Sequence, residues 1–205
     1  MEKNINLLIF GIVGGSGAGK TELAKLLLKH YFDILTFSVS GTTRPAGANE
    51  RHGIDYHFYS HERFAQLEQE KHFLETNSLA TGNRYGTPLS ELQRAQNLQK
   101  ILLVDLEING AKQIYDQYPD NSKFVFLDVD DSEAERRLKN AGTRKREKIP
   151  ERILNLQQQR LLVHQYDWMT TIIDTTNFEV TKIYDCVVNT LLNEISFRKS
   201  YFVSS

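Results

Sequence analysis

Short runs of consecutive apolar residues alternate along the chain with stretches in which apolar residues recur every three or four positions. The first kind reads as strands buried on both faces, the second as amphipathic helices. INLLIFGIV (residues 5–13) predicts a strand and is followed by a helix over 20–31. ILTFSVS (34–40) predicts a second strand, and YHFY (56–59) a short one before a helical stretch at 61–70. ILLVDLE (101–107) is a strongly apolar strand, followed by the helix INGAKQIYDQY (108–118). KFVFLDV (123–129) is another strand, then SEAERRLKNA (132–141) a helix. PERILNLQQQRLLVHQY (150–166) is one long helix with Pro150 at its start, where a missing N–H costs nothing. MTTIID (169–174) is the last strand, and 177–195 the last helix. Strands alternating with helices in this way predict an α/β protein: a parallel sheet flanked by helices. Two segments break the rhythm. Residues 38–90 are polar and rich in turns, and AGTRKREKI (141–149) is basic. Both are expected as insertions at the edge of the sheet within one domain.

Composition adds limits rather than direction. The 205 residues suffice for one sizeable core. With 25 Lys and Arg against 26 Asp and Glu, the net charge of -1 gives no reason to expect nonspecific binding to nucleic acid or to an anionic membrane. No apolar run approaches the roughly 20 residues needed to cross a bilayer. The apolar stretch near the N-terminus carries Glu2 and runs into glycines rather than a cleavage site, so it reads as a buried strand and not as a signal peptide. The single cysteine, Cys186, cannot form an internal disulfide. It sits in the helix-like stripe IYDCVVNTLL and is expected to be a core thiol, which suits a reducing cytoplasm. The six histidines show no metal-ligand spacing, and His57 and His164 read as structural or exposed.

GGSGAGKT (14–21) carries the first chemistry. Gly14, Gly19, Lys20 and Thr21 fit G-x-x-x-x-G-K-[ST], between a strand and a helix as the motif requires. Glycines let backbone N–H groups curl inward as an anion nest, and the following helix adds the positive end of its dipole. Lys20 is then placed to reach the β- and γ-phosphates of a nucleoside triphosphate, and the Thr21 hydroxyl to ligate Mg²⁺. The dinucleotide pattern G-x-G-x-x-G does not fit from Gly15 or Gly17.

Further motifs follow in order: SVSGTTR (38–44), HGIDYHF (52–58), HFLE (72–75), GNRYGT (82–87) and ILLVDLEINGAKQI (101–114). Together with the glycine loop they resemble guanylate kinase, over about residues 7–192. The resemblance implies a P-loop nucleoside monophosphate kinase fold with a small GMP-binding insertion (38–90) and a lid (141–149). It implies transfer of phosphate from ATP to GMP, and to dGMP, with Mg²⁺ as cofactor. By matching position, Gly14, Ser16, Gly17, Ala18, Gly19, Lys20 and Thr21 would bind ATP. Ser40, Glu75 and Thr87 would read the guanine, and Glu107 would bind the substrate. Arg44, Tyr56 and Tyr85 would hold the GMP phosphate. Asp105, with Thr21, would organise the metal, and Arg137 and Arg152 would clamp the moving phosphoryl group. A carboxylate suits the Glu75 position, since it accepts from the ring N–H and exocyclic amine of guanine together, a donor pair that adenine lacks.

The chain departs from the family pattern at several points. Gly47 stands where a second acceptor-phosphate arginine is usual, and Ala141 where the lid has an arginine. The usual D-x-D is Asp105 and Glu107, one methylene longer, and DTTN (174–177) replaces N-D-D. Arg84 or Arg51 on the acceptor side, and Arg144 or Arg146 on the donor side, lie near enough in sequence to compensate. Asp128, closing the apolar run FVFLD, rivals Asp105 for the metal. Taken without its neighbours, Glu75 ends a helical run and would be a surface glutamate. Two other readings stay open: a P-loop kinase for a different nucleotide or phosphorylated small molecule, and a guanylate-kinase-like protein-binding module. Nothing in the sequence speaks to oligomeric state.

Overall fold

The computed structural model describes residues 8–78, 82–140, 148–169, 171–177 and 180–201. The basic segment 141–147, including Ala141, Arg144 and Arg146, lies outside them.

Five strands form the central sheet: β1 (Ile9–Val13), β2 (Leu35–Phe37), β7 (Ile101–Leu106), β8 (Ser122–Asp128) and β9 (Ile172–Asp174). Their order is β2-β7-β1-β8-β9, and every pairing is parallel. The helices are α1 (Lys20–His30), α2 (His61–Gln69), α3 (Leu89–Asn97), α4 (Ile108–Gln117), α5 (Asp131–Asn140), α6 (Ile149–Val163) and α7 (Val180–Tyr201). Because side chains alternate along a strand, the sheet faces two cores. Phe10, Ile12, Leu103, Val125 and Leu127 pack on one side with Leu23 and Leu27 of α1, Leu156 of α6 and Val187 and Leu191 of α7. Ile9, Val13, Leu102, Val104, Phe124 and Phe126 pack on the other with Leu92 of α3 and Ile108, Ala111 and Ile114 of α4. The last helix runs beyond the expected residue 195, to Tyr201.

The polar segment 38–90 carries a second sheet. It holds β3 (Gly41–Thr42), β4 (His57–Phe58), β5 (Phe73–Ser78) and β6 (Arg84–Pro88) in the order β4-β3-β6-β5. β6 pairs antiparallel with both β3 and β5. Helix α2 covers one face of this sheet, its N-terminus capped by Ser60, whose Oγ accepts from the Arg63 N–H at 3.1 Å. β5, β6 and α3 were not visible as elements in the sequence, where periodicity is masked by short length and polar residues.

Two expectations are corrected here. Glu75 does not end a helix on the surface; it lies within β5 and is 7% exposed. Cys186 is exposed and not a core thiol. The buried stripe of α7 is Ile183, Val187 and Leu191, at steps of four, which leaves position 186 outside.

At the centre of β1, Gly11 meets Phe124 of β8: a Cβ there would stand 2.3 Å from the Phe124 ring. Gly11→Ala is therefore expected to overpack the sheet and cost about 1–3 kcal/mol, read as a lower urea midpoint with an unchanged m-value.

Candidate active site

Strand β1 ends in the glycine loop, and the loop ends in α1. Gly17 and Gly19 have φ of 89° and 94°, in the left-handed region that side-chain-bearing residues rarely enter. Gly19 caps α1, so the first turn of the helix points its unpaired N–H groups at the loop. Lys20 folds back over the loop, and its Nζ donates to the carbonyls of Gly14 (2.7 Å) and Gly15 (3.2 Å).

The neighbouring strand supplies the acid. β1 and β7 pair with Ile12 opposite Asp105, two residues before Gly14. Asp105 Oδ1 lies 3.6 Å from Lys20 Nζ, and its Oδ2 accepts from Thr21 Oγ1 at 3.4 Å. A hydroxyl and a carboxylate at the edge of an anion nest are hard oxygen donors that suit Mg²⁺. Among the described residues no cluster of three His, Cys, Asp or Glu is placed to hold a metal. A Mg²⁺ ion here would take its remaining ligands from phosphate and water, as is usual for that ion. The rival, Asp128, is committed elsewhere: it accepts from Arg160 Nε at 2.8 Å and from the Val129 N–H. It pins α6 against the end of β8 and does not border the cavity.

A cavity of about 320 Å³ opens from this corner toward the second sheet. It brings together Lys20, Thr21, Ser40, Tyr56, Glu75, Tyr85, Asp105 and Glu107, eight of the residues expected from the sequence. β5 and β6 pair with Glu75 opposite Thr87 and Asn77 opposite Tyr85; Glu75, Asn77 and Tyr85 border the cavity, and Thr87 does not. Thr87 is fully buried and donates its hydroxyl to Glu75 Oε1 at 2.8 Å. On the other side α4 begins so close that a Cβ on Gly110 would stand 2.8 Å from Glu75 Oε2. Burial pushes the Glu75 carboxyl up to about 7, against the opposing pull of the Thr87 hydrogen bonds, and nearby Glu107 adds to the rise.

Arg44 stands beside the cavity. Its guanidinium grips Glu50 through two hydrogen bonds (2.8 and 2.9 Å) and lies 5.3 Å from the Tyr56 ring centroid. Glu50, followed by burial and Tyr85 in opposite senses, raises the Arg44 pKa above its already high ordinary value. Gly47, in the place of a second arginine, donates its N–H to Glu50 at 2.6 Å. The compensating cations expected on this side are placed elsewhere. Arg84 points to the opposite face of the sheet, where it pairs with Glu68 of α2 and covers the Phe64 ring at 4.8 Å. Arg51 is exposed and does not border the cavity.

On the donor side, Arg152 of α6 donates to Ser16 Oγ at 3.2 Å. Arg137 of α5 donates to the Gly17 carbonyl (3.1 Å), the Thr175 carbonyl (2.5 Å) and Glu133 (2.8 Å). Thr175 in turn donates to the carbonyl of Asp128 (2.8 Å), which ties the segment after β9 to the end of β8 behind the loop.

Sequence reasoning missed Asn77, which borders the cavity. The signal was there in part: Asn77 is two residues from Glu75, on the same face of any strand, once HFLETNS is read as one.

A profile of the guanylate kinase family matches residues 6–192. The chain belongs to the guanylate kinase family. It is 37% identical over 183 residues to a guanylate kinase of Prochlorococcus marinus subsp. pastoris, covering 88% of this chain and 98% of that one. It is 38% identical over 143 residues to the guanylate kinase of Schizosaccharomyces pombe, covering 69% and 70%. The fold is similar to that of the guanylate kinase of Anaplasma phagocytophilum, with a TM-score of 0.69 at 22% identity over 92% of this chain and 86% of that one.

Glu75 makes a pH-dependent contribution to stability in this guanylate kinase relative. Its folded pKa, about 7, lies above the carboxylate value of an unfolded chain. The folded state therefore binds the proton more tightly, and this stabilisation is present at low pH and lost as pH rises toward and past 7. Glu75→Gln is expected to raise the urea midpoint at pH 8 and to leave it nearly unchanged at pH 5, in the absence of nucleotide.

Proposed function

We propose that the chain transfers the γ-phosphoryl group of ATP to GMP, and to dGMP, yielding ADP and the nucleoside diphosphate. The observation that carries this reading is one continuous cavity with a phosphate cradle at one end (Lys20, Thr21, Asp105) and a buried carboxyl at the other (Glu75). The cradle suits a triphosphate. The buried carboxyl suits a base with two adjacent donors, and a base without them would leave it unpaired at a cost of orders of magnitude in selectivity.

In this reading Ser40, Glu75 and Glu107 contact the guanine, with Thr87 orienting Glu75 from behind. Arg44, Tyr56 and Tyr85 take the acceptor phosphate. For Arg44 this means exchanging the Glu50 carboxylate for a phosphate, both bidentate partners of a guanidinium. Lys20 gives up the Gly14 and Gly15 carbonyls for the donor β- and γ-phosphates, while the N–H groups of the loop from Gly14 to Gly19 and the start of α1 cradle the rest. Arg152 and Arg137, already against the loop at Ser16 and Gly17, neutralise charge on the group in transfer. Thr21 and Asp105 would hold Mg²⁺, which when bound neutralises phosphate charge and orients the oxygens. A phosphate acceptor is already anionic, so the site needs no strong base. Its work is alignment and charge stabilisation. Arg44 then carries alone, among the described residues, the cationic role that family members share with the residue at position 47.

The test is an ADP-release assay with ATP and Mg²⁺, offering GMP, dGMP, AMP, CMP and UMP separately. Turnover is expected with GMP and dGMP only. Lys20→Ala and Arg44→Ala should each lower kcat/KM for GMP by at least about a hundredfold. Turnover with another monophosphate, or ATP binding without turnover of any, would overturn the reading.

A further inference from the structure

Glu107 directly follows β7 and stands at the N-cap of α4, yet its side chain makes no capping bond. It is turned toward two amides from different parts of the fold. Its Oε2 accepts from Asn77 Nδ2 of β5 at 3.0 Å and from Asn155 Nδ2 of α6 at 3.4 Å. Asn77 belongs to the second sheet and borders the cavity; Asn155 belongs to the helix that places Arg152 on the glycine loop, and does not border it.

The orientation of Asn155 is fixed by its own neighbour. Gln159, one turn on and 3% exposed, accepts the Ile108 N–H on its Oε1 at 3.2 Å. That bond admits only the carbonyl end of the Gln159 amide, so its Nε2 faces and donates to Asn155 Oδ1. Asn155 is left with its NH₂ toward the carboxylate. The circuit from Glu107 through the backbone to Ile108, then Gln159, Asn155 and back to Glu107 is thus closed, and each donor in it meets an acceptor.

We propose that Asn77 and Asn155 are positioning residues for the acceptor: together they hold the Glu107 carboxylate at the cavity wall, so that a residue of the donor-side helix helps set acceptor affinity. This rests on the reading of Glu107 as a guanine contact. A hydrogen bond to a charged group is worth enough that losing either amide should be measurable as several-fold in acceptor affinity.

The experiment measures KM for GMP and for ATP, and kcat, in wild type, Asn77→Ala, Asn155→Ala, Asn155→Asp, Glu107→Ala and the Asn155→Ala/Glu107→Ala pair. Asn155→Asp keeps the volume of the side chain but cannot donate and repels Glu107, so it separates loss of the contact from loss of packing. KM for GMP is expected to rise about five- to tenfold in Asn77→Ala and Asn155→Ala, and more in Asn155→Asp. KM for ATP and kcat should stay within about twofold, and Asn155→Ala should add nothing in the Glu107→Ala background. The proposal is overturned if Asn155→Asp leaves KM for GMP unchanged, if KM for ATP rises equally, or if the two substitutions add in full. Wild-type turnover of GMP in the same assay separates these outcomes from a failure of the functional reading, which would remove that turnover and sink both.

Discussion

The parallel pairing of β1 with β7 is the constraint from which the site follows. It sets Ile12 beside Asp105, so the strand that enters the glycine loop and the strand that carries the acid end at the same level. Two residues further, Glu107 turns the chain into α4, and the start of α4 comes up against Glu75 of the second sheet. A slip of one residue in this register would turn Asp105 to the other face and separate it from Lys20 and Thr21. The apolar alternation in β1, β7 and β8 opposes such a slip, because it would move two sets of core side chains into the wrong layer. The hydrophobic pattern that builds the sheet therefore also aligns the polar chemistry at its edge.

The polar groups of the site are held in pairs rather than left waiting. Arg44 holds Glu50, Lys20 holds the loop carbonyls, Thr87 holds Glu75, and two asparagines hold Glu107. Half-buried ions and polar groups without partners are costly, and these internal partners offset that cost when no nucleotide is bound. Glu75 is the exception in degree. Its one side-chain hydrogen-bond partner among the described residues, Thr87, only partly offsets burial, and the carboxyl responds by drawing its proton more tightly. Stability is given up at this one point, which faces the part of the cavity where recognition of a base is proposed.

Much of this was legible in the sequence. The core strands announce themselves as apolar runs, since a parallel sheet covered on both faces requires them. The glycine loop is legible because few residue types tolerate its backbone. The second sheet was not, for a physical reason: its strands are two to six residues long and line a polar cavity, so their cavity-facing positions are Glu75, Asn77 and Tyr85 rather than aliphatic residues. Alternation between polar residues and other polar residues carries no signal. The same blindness made Glu75 resemble a surface residue and hid Asn77. Arg84 misled in the opposite direction: near the acceptor motifs in sequence, it is on the far face in space, because neighbours along a strand point to opposite sides.

The bonds from Lys20 to the carbonyls of Gly14 and Gly15 bear on how the loop would take up a phosphate chain. Two backbone carbonyls and the Asp105 carboxylate, 3.6 Å away, fix where the Lys20 ammonium sits, so the loop itself aims the cation. In the proposed reaction, binding a triphosphate swaps two carbonyl acceptors for phosphate oxygens, with the count of hydrogen bonds to the ammonium nearly conserved. Discrimination between a triphosphate and smaller anions then rests on the number of contacts the rest of the loop adds at once, and less on the pull of a single cation.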